Sequence, residues 1–168
     1  RRRTPQGGSI VRLVPDVKSF ERKIKSLLKL KEKSEMPEKK FEVLVQIRAA
    51  LTQQDIDDIM VSALEGGINY WCRRVVVQGN YLGEYASDQI SRGGKLAVWL
   101  DEPFEDDKTC YMLDRDKFLA GFKLWLEKGW DSYDAIDYSD GSVDCGQIDA
   151  TCADEIVQYA LFGELVFG

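Results

Sequence analysis

The sequence predicts an α+β protein in which a small antiparallel or mixed sheet carries helices on one face, preceded by a basic N-terminal arm and helix. Apolar residues at helical spacing alternate with short β-rich runs along the chain. Only one helix is predicted between the early strands, and the later β-rich runs follow one another closely, which disfavours a doubly wound parallel sheet. With 168 residues, 44% of them hydrophobic and 11% aromatic, the chain can build one core and an appendage.

The N-terminal segment is predicted to be an arm followed by a helix. Residues 1–15 contain two Pro, two Gly and four Arg, a composition typical of a flexible arm. From Asp16 to about Lys33, apolar residues recur at steps of three and four and trace one stripe of a helix, with Asp16 at the N-cap position. We therefore divide the chain into residues 1–40, a basic arm and amphipathic helix, and residues 41–168, an acidic α+β domain.

The next segment is predicted to be a strand and a helix. Residues 41–47 alternate apolar with polar, the pattern of a strand with one buried face. Thr52 and Asp55 form a pattern resembling a capping box, and a helix-period apolar stripe follows it. Gly66 and Gly67 then predict the end of this helix.

The remaining elements are predicted to be short strands and two helices. The β-rich runs lie at residues 68–72, 74–77, 95–100 and 109–113. One helix is predicted from the cap residue Asp114 to Gly129, and a last one from about Asp149 to Gly163.

Charge is divided unequally along the chain. Residues 1–50 carry 14 Lys and Arg against 6 Asp and Glu, whereas residues 51–168 carry 9 Lys and Arg against 23 Asp and Glu. Such segregation bears on association more than on fold. The basic segment suits nucleic acid or an acidic surface, and the acidic body suits a basic protein surface. In the alternative, the basic front folds back on the body.

The residue types argue against enzymatic chemistry. The chain contains no His, which removes the commonest general base near neutral pH and every Ser-His or Cys-His nucleophile. Phosphate-loop, dinucleotide and CxxC motifs are missing from the sequence. We therefore expect a non-enzymatic protein with no catalytic residue, no metal site and no cofactor.

The sequence also predicts the compartment. No apolar run approaches the roughly 18 to 20 residues needed to span a bilayer. Cys72, Cys110, Cys145 and Cys152 lack the spacing of a disulfide framework, which favours reduced thiols. We expect a cytoplasmic protein without a membrane partner.

The basic segment is the candidate nucleic-acid contact. Arginines in the arm suit bidentate contacts with phosphate, and the cations of the helix share one face. The candidate residues are Arg1, Arg2, Arg3, Arg12, Lys18, Arg22, Lys25 and Lys29. The alternative is a solvated helix whose apolar stripe docks onto this chain or onto a second copy.

Two acidic loops are the candidate partner contacts. The candidate residues are Asp101, Glu102, Glu105, Asp106, Asp107, Asp131, Asp134, Asp137 and Asp140. The second loop also contains Gly141 and offers oxygen ligands to calcium or magnesium, but it lacks the EF-hand spacing. A solvated acidic loop is the alternative.

Two further patterns suggest a small ligand. Glu65, Tyr70 and Trp71 place a carboxylate and two aromatic rings near a helix end, or else they belong to a helix that feeds a core strand. Residues 91–95 can cradle a phosphate, or else form a tight turn with solvated charges. Both patterns support a second function class, a ligand- or nucleotide-binding domain, including a carboxylate-based enzyme.

Four stretches carry a resemblance to a known family: LTQQDIDDIMVSALEGGINYWC, GEYASDQISRGGKLAVW, KFLAGFKLWLEKG and CADEIVQYALFGELVFG. Over roughly residues 41–168 the chain resembles a family of small proteins encoded by phages and other mobile elements of Gram-positive gut bacteria. No catalytic residue is carried over from this resemblance. It implies a setting in the bacterial host cell, where an anti-defence inhibitor, specifically an anti-CRISPR protein that blocks a CRISPR-Cas nuclease, is the expected function.

Overall fold

The computed structural model describes residues 17–34, 40–43, 46, 48–129 and 134–168. The chain divides into two compact units, Arg1–Val45 and Gln46–Gly168. The boundary predicted after residue 40 lies inside the first unit and stays a prediction.

The first unit contains helix α1, Val17–Ser34, at the predicted place. Its predicted cap, Asp16, lies outside the described residues. The apolar stripe of α1 is exposed at Ile24, Leu27 and Leu28.

The strand predicted over residues 41–47 is wrong for the residues that the structure describes there. Residues 40–43 and 46 adopt no strand, and the side chains of Phe41 and Val43 are 80% and 83% exposed. An alternating pattern yields a strand only where a neighbouring strand accepts and donates the hydrogen bonds of the ladder. The sheet of the second unit is completed without this segment.

The second unit has the predicted α+β class. It contains helices α2 (Gln53–Ser62), α3 (Asp88–Ser91), α4 (Arg115–Glu127) and α5 (Ala150–Phe162), and strands β1 (Cys72–Gln78), β2 (Lys95–Leu100) and β3 (Cys110–Leu113). The three strands form one antiparallel sheet in the order β1-β2-β3. The short helix α3 was not predicted from the sequence.

One face of the sheet packs into the core. Leu96, Val98 and Leu100 alternate along β2 and are buried, and they share a single hydrophobic core with residues of α2, α4 and α5. Within the described ranges, none of the helices combines the length and the apolar character that a bilayer crossing requires.

Capping residues fix the starts of the helices as predicted. Thr52 and Asp55 form a capping box at α2. Asp114 accepts a hydrogen bond from the amide of Lys117 at the start of α4, and Asp149 accepts one from the amide of Cys152 at the start of α5. Each side chain pairs an amide that a helix leaves unpaired at its N-terminus.

The stretch after α2 corrects a second prediction. Residues 68–71 do not form a strand, because the chain continues from α2 through a π-helical turn, Ala63–Gly67, into a 3₁₀ turn, Ile68–Tyr70, and only Cys72 begins β1. The α-helix therefore ends at Ser62, and Gly67 is the last residue of the π-helical turn. A Cβ atom at this residue would lie 2.6 Å from the carbonyl oxygen of Ala150, so glycine allows the start of α5 to approach this turn.

Gly121 plays the same role between α4 and α5. It is buried inside α4, where glycine costs about 1 kcal/mol relative to alanine. A Cβ atom there would lie 2.5 Å from the backbone nitrogen of Ala160 and 2.6 Å from the carbonyl oxygen of Ile156. The two helix backbones approach each other too closely at this point for any side chain.

We predict that Gly121→Ala lowers the free energy of unfolding by about 2 kcal/mol, because overpacking against the α5 backbone outweighs the gain in helix propensity. Urea unfolding followed by circular dichroism measures the change. Ala120→Gly, at the exposed neighbouring position, serves as the control and should cost about 1 kcal/mol. A stabilised Gly121→Ala protein would show that the two helices do not approach as described.

Candidate functional site

The first acidic loop, residues 101–107, exposes all five of its predicted carboxylates: Asp101, Glu102, Glu105, Asp106 and Asp107. A tight turn projects them, since Asp106 and Asp107 have positive φ values of 41° and 58°, which Asp tolerates better than most residues. The amide of Lys108 closes this turn on the carbonyl oxygen of Glu105 at 2.7 Å. The Lys108 ammonium lies 4.0 Å from the centre of the Tyr111 ring.

The second acidic loop, residues 134–144, is ordered by its own aspartates. The carboxylate of Asp137 accepts a hydrogen bond from the amide of Ser139, and that of Asp140 accepts one from the amide of Ser142, each at 2.8 Å. The bonds from Ser139 lower the pKa of Asp137, so this side chain is ionised at neutral pH. Asp134 is also exposed, whereas Asp131 lies outside the described residues.

The start of α2 lies against this second loop. The backbone amide of Ala50 donates to the carbonyl oxygen of Gly141 at 2.7 Å. The thiol of Cys145 lies 3.6 Å from the carbonyl oxygen of Asp55. The pKa of Cys145 is raised to about 12, first by burial and then by the negative charges of Asp55, Asp58 and Asp144. Carboxylates from two distant parts of the chain therefore act on one thiol.

We call this region the acidic surface and define it as Asp55, Asp58, Asp137, Asp140 and Asp144. Asp55 and Asp58 were missed as site residues, because Asp55 was interpreted only as a helix cap. A sequence signal existed in the three carboxylates of the run Asp55-Ile56-Asp57-Asp58. Which of them face outward, and what lies beside them, depends on contacts about 90 residues away in sequence.

The acidic surface is not a built metal site. In the part of the chain that the structure describes, no group of three or more His, Cys, Asp or Glu side chains is placed to hold a metal ion.

The basic helix α1 presents exposed cations beside its exposed apolar stripe. Lys18, Arg22 and Lys25 are exposed, and the guanidinium of Arg22 donates to the carbonyl oxygen of Lys18 at 3.2 Å. The other predicted nucleic-acid contacts are not among the described residues. These are Arg1, Arg2, Arg3 and Arg12, together with the side chain of Lys29.

The alternative ligand site at Glu65, Tyr70 and Trp71 is not formed as predicted. Trp71 is 3% exposed, and its ring stacks on Phe167 with centroids 5.1 Å apart. Its indole nitrogen donates to Asp154 at 2.7 Å, and the Tyr70 hydroxyl donates to the same carboxylate at 2.8 Å. Glu65 is exposed and takes no part in these bonds.

Burial shifts the titration of this cluster. The pKa of Asp154 is raised because burial outweighs the three hydrogen bonds that it accepts. The pKa of Tyr70 is raised to about 12, first by burial and then by its bond to Asp154. Tyr70, Trp71 and Asp154 thus pair with one another and with the C-terminal segment, while Tyr70 stays exposed and its role in ligand binding stays a prediction.

The phosphate turn considered at residues 91–95 is also not formed. The Arg92 guanidinium lies 3.0 Å from one carboxylate oxygen of Asp57 and 3.6 Å from the carboxylate of Asp88. The hydroxyl of Ser91 donates to Asp57 as well. This cluster ties α2 to α3, and two carboxylates balance the positive charge of Arg92.

No protein-family model matches the chain, and neither a curated protein nor a solved structure matches it. A functional assignment therefore starts from the geometry of the described residues and the charges of the sequence.

The alkylation rate of Cys145 tests the acidic surface. We predict that Asp58→Asn raises the rate with iodoacetamide at pH 9 by about two- to threefold, because removing a nearby negative charge lowers the pKa of the thiol and increases its thiolate fraction. The Asn oxygen preserves the bond from Gln54. Peptide mapping by mass spectrometry measures the rate.

The control for this experiment is Glu164→Gln, which removes an exposed carboxylate that does not act on Cys145. An unchanged or slower rate in Asp58→Asn would show that Asp58 does not belong to the surface around this thiol.

Proposed function

We propose that this chain is a non-enzymatic binding protein whose acidic surface occupies a basic, nucleic-acid-binding surface of a partner. One observation carries the proposal. None of the carboxylates of the acidic surface pairs with a Lys or Arg within 4.0 Å in the described part of the chain, where the salt bridges are Arg92–Asp57, Arg92–Asp88 and Lys123–Glu127. The acidic surface thus has unneutralised charge to offer a partner.

The net charge of the whole unit supports this mode of binding. Gln46–Gly168 holds 10 Lys and Arg against 23 Asp and Glu, a formal charge of −13. A field of this sign speeds encounters with a basic surface. The hydrogen bonds within the second acidic loop hold its carboxylates in place before binding, which reduces the entropy lost in a complex.

The first unit carries a net charge of the opposite sign. Arg1–Val45 holds 13 Lys and Arg against 6 Asp and Glu, a formal charge of +7. A partner that carries both a basic channel and bound nucleic acid can engage both units, with α1 contacting phosphates and the acidic surface contacting the protein.

A guide-loaded CRISPR-Cas nuclease has both features, so we propose inhibition of such a ribonucleoprotein in the bacterial cytoplasm as the specific activity. The resemblance to proteins of phages and mobile elements motivates this choice of partner. The absence of His from the sequence supports inhibition by binding over inhibition by bond cleavage.

The triple variant Asp58→Asn, Asp137→Asn, Asp140→Asn tests the proposal. Asn retains the side-chain oxygen that accepts the bonds from Gln54, Ser139 and Ser142, so charge is removed while the local fold is kept. We expect at least about a tenfold loss of affinity for the guide-loaded nuclease at 100 mM salt, a difference of ~1.4 kcal/mol. Biolayer interferometry measures affinity, and a target-DNA cleavage assay measures inhibition.

The matched control is Asp116→Asn, Glu127→Gln, Glu164→Gln, which removes the same number of charges from exposed positions elsewhere. The affinity of this control variant for the guide-loaded nuclease should fall by less than about threefold. Equal losses in the two variants, or an affinity that does not change between 100 and 400 mM salt, would contradict a specific acidic contact. A nuclease that neither binds nor is inhibited would exclude this partner.

A further inference from the structure

Strand β1 contains a bulge, and the two consecutive arginines at this bulge, Arg73 and Arg74, line the same cleft. Cys72 pairs with Leu100 and Arg74 pairs with Trp99, so Arg73 is an extra residue without a partner of its own. A β-bulge shifts the inward and outward alternation of a strand by one residue. Cys72 and Val75 can therefore both pack against the core, although three positions separate them. The residues between them, Arg73 and Arg74, are both exposed.

These two arginines line a cleft next to Trp99. The cleft has a volume of about 300 Å³, and its other walls are Leu100, Asp101 and Thr109. The guanidinium carbon of Arg74 lies 4.7 Å from the centre of the half-buried Trp99 ring. Stacking of this kind holds a guanidinium in one orientation while its N–H donors stay available.

Neither guanidinium is neutralised by the protein. In the described part of the chain, Arg73 and Arg74 make no salt bridge within 4.0 Å and no side-chain hydrogen bond, although the unit contains 23 Asp and Glu. Arg92 shows the contrast, because it is paired with both Asp57 and Asp88. Even Asp101, which lines the cleft, does not reach salt-bridge distance of either arginine.

We infer that the cleft between Arg73, Arg74 and Trp99 binds a nucleoside phosphate. The guanidinium groups of the two consecutive arginines offer the paired N–H donors that fit phosphate oxygens. The volume is at the lower limit of small-ligand pockets and exceeds what a phosphate alone would fill. The Arg74–Trp99 stack supplies planar surfaces for a base, and Asp101 accepts from a ribose hydroxyl or a base amine.

This site was missed from the sequence, where Arg73 and Arg74 appear as an interruption of an apolar strand. It is independent of the acidic surface and of the proposed inhibition, because it requires no protein partner.

Isothermal titration calorimetry of the full chain tests the inference. AMP should bind with a Kd below about 1 mM, while adenosine and inorganic phosphate should each bind about tenfold more weakly, because each lacks half of the recognised chemistry. A 5′-phosphorylated tetranucleotide is the second probe. Tighter binding of this probe than of AMP identifies the end of a nucleic-acid strand as the source of the phosphate, and weaker binding identifies a free nucleotide.

Variants locate the binding. Arg73→Ala and Arg74→Ala should each weaken AMP binding by about tenfold, and Arg74→Lys should restore only part of it, because an ammonium lacks the paired donors. Arg115→Ala, at an exposed arginine outside the cleft, is the matched control and should bind AMP as the parent protein does. Circular dichroism confirms the fold of each variant. Failure of both AMP and the tetranucleotide to bind, or an equal loss in Arg115→Ala, would overturn the inference.

Discussion

The fold depends on one buried carboxylate. Asp154, in α5, accepts hydrogen bonds from the indole of Trp71, the hydroxyl of Tyr70 and the side-chain amide of Gln158, at 2.7 to 2.9 Å. The side chain of Gln158 in turn accepts a hydrogen bond from the backbone amide of Phe167 at 2.8 Å. It also donates one to the carbonyl oxygen of Phe167 at 2.9 Å. Asp154 and its partner Gln158 thereby join α5, the turn before β1 and the C-terminal segment. A buried polar group stabilises a fold only when its partners are all present.

This arrangement separates two kinds of carboxylate in one acidic unit. Asp57 and Asp154 are buried and fully engaged with partners inside the protein. Exposed carboxylates such as Asp58 and Asp140 have no cationic partner in the described part of the chain. The buried carboxylates are balanced by their own hydrogen bonds and by Arg92, and the exposed ones have no cationic partner within the described part of the chain. The proposed function rests on this separation.

The sequence predicted what local patterns determine. The helix caps Thr52 and Asp114, and the start of the last helix near Asp149, were found because capping depends on residues within three positions. Features set by distant contacts were missed. The run after Gly67 has the composition of a strand, yet its turn is fixed by the close approach of α5. The bulge at Arg73 was also missed, because it depends on the register between two strands.

The free energy of unfolding of Asp154→Ala, measured by urea denaturation at pH 7 beside Glu102→Ala, tests this account most directly. We expect Asp154→Ala to lower the free energy of unfolding by about 3 kcal/mol. The substitution removes the buried acceptor of two N–H donors, those of the Trp71 indole and the Gln158 amide. Glu102→Ala removes an exposed carboxylate without a partner in the described chain and should change stability by less than about 0.5 kcal/mol. Similar effects of the two substitutions would contradict the division between an engaged interior and an unpaired exterior.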